Sequence, residues 1–104
     1  MQREELLRRV KSALEEAFPK RLRGVILYGS EARGEADPDS DIDLLVLLQG
    51  PVNYWEDVHT CIHVLYPLVL EIERPIDATP ADIRDYETDR WPLYREVKRE
   101  GILA

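Results

Sequence analysis

The segment that most limits what this chain can fold into runs from Ile26 to Leu48, "ILYGSEARGEADPDSDIDLLVLL". Two apolar runs bracket a polar middle, and the second run carries Asp41 and Asp43 almost inside it. "DIDLLVLL" is rich in Leu and Val and is ended by Gly50-Pro51, which reads as a buried strand. "RGVILYGS" reads as a second short strand, about Val25–Tyr28, ended by Gly29. Two carboxylates at the mouth of a buried strand are costly unless something compensates their charge.

The rest of the chain supplies helices to cover such strands. Leu6, Leu7, Val10, Ala13, Leu14, Ala17 and Phe18 repeat at three- and four-residue steps, so residues 3–18 predict an amphipathic helix stopped by Pro19. Ser30 can cap a short helix over 31–34, and "GEADPDS" is a turn-rich loop. Trp55, Val58, Cys61, Ile62, Leu65 and Tyr66 predict a helix over Asn53–Tyr66, ended by Pro67. "LVLEIER" then reads as a third strand, and Thr79 as the cap of a short turn at Pro80-Ala81-Asp82. A last helix, about Asp89–Glu100, ends at Gly101. The order α-β-(α)-β-α-β-α predicts a small layered α/β or α+β domain with a mixed sheet of three to four strands. At 104 residues there is room for one core, so 1–104 is expected to be a single domain.

Composition narrows the chemistry. Net charge is −7, with +3 carried by residues 1–34 and −10 by the remainder. Phosphate contacts dominate nucleic-acid affinity, so direct nucleic-acid binding is not expected; metal cations or a basic partner suit the surface better. The longest apolar run, Leu44–Leu48, is far short of the ~20 residues that cross a bilayer, and the charged N-terminus does not read as a secretory signal. A lone cysteine, Cys61, fits a reducing cytoplasm and sits on an apolar stripe. His59 and His63 have zinc-compatible spacing, but no third ligand follows nearby, so a helix face or partner contact is the simpler reading.

Two site motifs fail on the opening segment. Gly29 and Gly34 have the spacing of a phosphate-binding P-loop, but Glu35-Ala36 stand where Lys and Ser/Thr belong. Asp37, Asp39, Asp41 and Asp43 alternate as in a calcium loop, but Ile42 and Leu48 occupy the required Gly and Glu positions. Gly29-Ser30 alone would pass for a plain turn and helix cap. A third pattern survives: Gly-Ser, ten residues, then Asp-x-Asp. Its chance occurrence in a chain of this length is on the order of one in a thousand.

With that signature, "YGSEARGEADPDSDIDLLV" resembles the minimal nucleotidyltransferases of the polymerase-beta-like superfamily, short proteins often encoded beside a small helical HEPN-domain protein. The closing "LYREVKREGILA" is similar too. The resemblance implies the polymerase-beta-like nucleotidyltransferase fold and an enzyme that uses ATP to transfer AMP. The acceptor would be a hydroxyl, that of a tyrosine, on a HEPN-type toxin, making this chain the antitoxin. The alternative is a nucleotide-binding module that neutralises its partner by complex formation alone.

Residues two apart on a strand share a face, so Asp41 and Asp43 project together and repel unless a cation lies between them. Mg²⁺ prefers carboxylate and triphosphate oxygens, and two such ions can stabilise both the attacking and leaving oxygens. Gly29 permits close backbone approach to a phosphate, Ser30 can donate to it, and Arg33, one turn on, adds positive charge. Glu31, Glu35, Asp37 and Asp39 are most simply loop solvation. The superfamily also uses a third carboxylate on a neighbouring strand; within "LVLEIERPID" the expectation is Glu71, with Glu73 second and Asp77 near the strand's end.

Overall fold

In the computed structural model, which describes residues 1–104, the elements are α1 (Arg3–Ala17), β1 (Leu22–Tyr28), α2 (Gly29–Arg33), β2 (Ile42–Leu48), α3 (Tyr54–Ile72), β3 (Ile76–Asp82), α4 (Ile83–Glu87), α5 (Pro92–Glu100) and β4 (Ile102–Leu103). One four-stranded sheet has the order β3-β2-β1-β4. β1 and β2 form an antiparallel pair, as do β1 and β4, whereas β2 and β3 are parallel. The mixed α/β class expected from the element order is therefore what the chain adopts. A parallel β2–β3 pair needs a long crossover, and α3 supplies it.

The sheet is covered on both faces. Leu6, Leu7, Val10 and Leu14 of α1 and Cys61, Leu65 and Leu68 of α3 pack on Val25, Leu27, Ile42, Leu44, Val46 and Leu48. On the other face Ile26, Leu45, Leu47 and Ala81 meet Tyr94 and Val97 of α5. Residues 44–48 alternate between the two clusters, and this is why their run is continuously apolar. Cys61 is fully buried, and burial pushes its thiol up to about 12, so it is a packing residue.

The third strand lies elsewhere than its sequence indicates. Pro67 does not end α3; the helix continues to Ile72, and "LVLEI" is helical. Cys61, Leu65, Leu68 and Ile72 keep a helical period across the proline and pack on the same cluster. Pro67 itself is exposed, where a missing N–H is tolerated. The strand is instead Ile76–Asp82, through the positions expected to turn at Thr79-Pro80. β3 is an edge strand of the sheet, the one place a strand accepts a proline.

Candidate active site

The strand ends gather the polar residues. Asp43 is opposite Tyr28 on β1 and opposite Asp77 on β3, so the three form one row across the sheet. By strand alternation Asp43 lies on the face of Leu45 and Leu47, and Asp41, two residues earlier, precedes the strand on the same side. Burial raises the Asp43 carboxyl above the ordinary range, and the charges of Asp77 and then Asp41 push it further. Burial raises the Tyr28 phenol as well, with Asp43 adding to it and a hydrogen bond from Thr79 pulling the other way. No Lys or Arg side chain pairs with any of the three aspartates.

Gly29 closes this row. It is the first residue of α2, and its φ of 75° lies in the left-handed region. A Cβ there would stand 2.6 Å from Asp43 Oδ2, so the backbone of Gly29 lies directly against that carboxylate. Gly29→Ala therefore strains the backbone and displaces Asp43 together. The expected result is a loss of about 1–3 kcal/mol of stability, checked by thermal melting.

A clasp holds the loop in front of Asp41. Arg74 Nε donates to the Ser40 carbonyl at 3.1 Å, and its NH2 group donates to Glu31 Oε2 at 2.9 Å. Arg3 donates to the Glu31 carbonyl at 2.7 Å. The Arg74 guanidinium holds the Glu31 carboxyl below its usual range. Glu31 is thus a tie between α2 and the start of β3 rather than loop solvation. Arg74 carried no signal in the sequence, because both partners lie over thirty residues away.

Two expected site residues stand apart from this row. Glu71 lies on α3, pairs with Arg9, and lines a hollow of about 630 Å³ with Arg3, Ile42 and Arg74. That hollow contains none of Asp41, Asp43 or Asp77. Glu71 cannot be the strand-borne carboxylate, because its segment is helical. Glu73 caps the same helix, and Asp77 is the acid that strand pairing brings to Asp43. Arg33 bridges Glu35 at 3.1 Å and Glu100 of α5 at 2.9 Å, and it would have to leave both to reach a phosphate.

Residues 7–103 match the family model described as a nucleotidyltransferase domain. The chain belongs to the nucleotidyltransferase domain family. It is an enzyme of nucleotidyl transfer. It is 27% identical over 101 residues to MJ0604 of Methanocaldococcus jannaschii, which carries the provisional name protein adenylyltransferase; the match covers 97% of this chain and 96% of that one. A solved chain provisionally described as a minimal nucleotidyltransferase superposes with a TM-score of 0.62 at 28% identity, over 98% of this chain and 95% of that one. A toxin–antitoxin crystal structure with AMP-PNP shares the fold, with a TM-score of 0.64 at 24% identity over 92% and 69% of the two chains.

Proposed function

We propose that this nucleotidyltransferase moves AMP from ATP to a hydroxyl of a partner protein, a tyrosine hydroxyl of a HEPN-type toxin, and so acts as its antitoxin. The observation that carries the reading is the row formed by Asp43 and Asp77 in strand register, with Asp41 beside it and Gly29 against it. The provisional name of MJ0604 and the toxin–antitoxin neighbour with AMP-PNP support a protein acceptor. The acidic surface, net −7, also favours a protein over RNA.

The donor set suits Mg²⁺: hard carboxylate oxygens, mutually repelling and without a cationic side chain among them. Asp41, Asp43 and Asp77 would hold the ion. As placed, no three acidic, His or Cys side chains stand close enough to hold an ion, so the three carboxylates would have to draw together as triphosphate oxygens and water complete its shell. When bound, Mg²⁺ neutralises the triphosphate and stabilises the charge that develops on it.

The chain's own residues do the rest. Gly29 gives the triphosphate close access to the backbone, and the Ser30 hydroxyl donates to a phosphate oxygen. Asp77 accepts the proton of the attacking hydroxyl. The hydroxyl oxygen bonds to the α-phosphorus, the bond from that phosphorus to the bridging oxygen breaks, and pyrophosphate leaves. Arg74 and Glu31 keep Asp41 and the Gly29 turn in place.

Incubation with labelled ATP, Mg²⁺ and the protein encoded beside this chain tests the assignment. Asp77→Asn should lose transfer by about a hundredfold or more, whereas Glu71→Gln should stay within about twofold, since only an exposed ion pair is lost. The reverse pattern would return the role to Glu71. Neutralisation of the partner by the wild type and both variants, with no label transferred, would leave only the binding module.

A further inference from the structure

The outer face of α3 carries a second feature that nucleotide chemistry does not use. Trp55, His59, Ile62, Tyr66 and Leu70 recur at steps of four, three, four and four residues, and all five are exposed. The four large apolar members are each more than half exposed, from 55% at Ile62 and Tyr66 to 68% at Trp55. α3 buries Cys61, Leu65 and Leu68 on its inner side, so the helix is apolar on two faces and the sheet accounts for only one. Contiguous apolar stripes of this kind mark interaction sites.

A receptor lies midway along the stripe. His59, Ile62, His63, Tyr66 and Pro67 line an open hollow of about 680 Å³. Pro67 has no N–H, so the His63 carbonyl at this hollow lacks its usual helical donor and can accept from elsewhere. Trp55 packs against His59 with ring centroids 4.5 Å apart and planes tilted by 45°, which stiffens one wall.

Charge identifies what fits. No Lys or Arg occurs between residues 54 and 73, while Glu56 and Asp57 stand near one end and Glu71 and Glu73 at the other. Asp57 is buried against Arg21, and Arg9 offsets Glu71, so Glu56 and Glu73 remain without a cationic partner. Glu16 of α1 adds a further acid beside His63 and Pro67. A second copy laid along this stripe would bring glutamate to glutamate in either direction, which costs free energy. The complementary occupant is an amphipathic helix, apolar on one side, with Lys or Arg at both ends.

We infer that the outer face of α3 docks a basic-ended amphipathic helix of the partner protein, with one large apolar side chain seated in the hollow at His59–Pro67. The inference rests on the reading that a protein is the acceptor, and it adds where that protein is held. α3 covers the sheet face opposite Asp43. Docking and transfer therefore use separate surfaces and respond to separate substitutions.

The probe is a labelled helical peptide of about sixteen residues, matched to the ~22 Å between Trp55 and Leu70 at 1.5 Å per residue. It carries Leu and Ile on one face and Lys at both ends, and binding is read by fluorescence anisotropy. Saturable binding is expected, weakened at least about tenfold by Ile62→Glu. Exchange of the terminal Lys for Glu in the peptide, or a rise in salt, should weaken it by about threefold or more. AMP-PNP binding by Ile62→Glu should equal the wild type, which shows the variant folded and keeps this test independent of the transfer assay. Absence of saturable binding, equal affinity for the Lys and Glu peptides, or indifference to Ile62→Glu would overturn the inference. So would a dimer of this chain in sedimentation equilibrium that Ile62→Glu dissociates, since the face would then belong to a second copy.

Discussion

Asp43→Asn is expected to remove nucleotidyl transfer by on the order of 10²–10³-fold while leaving the domain folded and no less stable. The two parts of that outcome have one cause. Asp43 is partly buried between Asp41 and Asp77, and all three influences on its carboxyl raise its pKa. A carboxyl whose folded-state pKa exceeds the unfolded value takes up a proton more readily when folded. In the metal-free protein this group therefore favours the folded state as pH falls through the mildly acidic range and costs stability above it. Asparagine keeps the shape and removes the charge, so that cost disappears at neutral pH. Thermal melting at pH 5 and pH 7.5 checks it: Asp43→Asn should equal or exceed wild type at pH 7.5, and that lead should shrink at pH 5, where the wild-type carboxyl is increasingly protonated. A melting temperature well below wild type at pH 7.5 would show that Asp43 is a structural residue and not part of a charged site.

The variant lacks the titrating group altogether. Its melting temperature carries no contribution from position 43 at either pH. Wild type is relieved of repulsion at pH 5 and bears it at pH 7.5, so the difference between the two proteins moves in favour of the wild type on acidification.

The second large effect is on stability alone. Asp57 is the one charged residue buried in the chain, 6% exposed. Arg21 meets it with two parallel hydrogen bonds, both 2.9 Å. The same guanidinium donates to the carbonyls of Gln49 at 3.2 Å and Pro51 at 3.0 Å, fastening the β2–α3 connection. Arg21→Ala leaves that carboxylate unpaired beside the core. The expected loss is about 2–4 kcal/mol, taken below the full range for buried pairs because 34% of the Arg21 side chain is exposed. In a domain of this size that lowers the melting temperature by on the order of 10–20 °C. Arg21→Met with Asp57→Leu should recover much of the loss, because no charge is then stranded. Chemical denaturation of the single and double variants measures both. Activity per folded molecule should change little, since this pair stands at the Leu48 end of β2, away from Asp43.

How much of the molecule was legible without coordinates follows the range of the forces involved. The hairpin from Val25 to Leu48 was, because it is made by neighbours in the chain. A buried strand, a glycine turn, a polar loop and a second strand leave few alternatives, and the Gly-Ser and Asp-x-Asp positions lie within it. The helix α1 was legible from its period. Two elements misled. Pro67 and a β-rich "LVLEI" have local preferences for a helix end and a strand, and Thr79-Pro80 prefers a turn. In both cases burial outweighed propensity: the stripe through Cys61, Leu65, Leu68 and Ile72 extended the helix, and edge position admitted the proline to β3.

The third carboxylate shows the division most clearly. The sequence alone determined that Asp41 and Asp43 would open a buried strand behind a glycine turn, since strand alternation and turn chemistry act over a few residues. It also placed three acids, Glu71, Glu73 and Asp77, within reach of the missing position. Only the tertiary structure separates them in space. The register between β2 and β3 is set by packing between segments more than thirty residues apart, and that register sets Asp77 beside Asp43 and leaves Glu71 with Arg9 on the far side of the sheet.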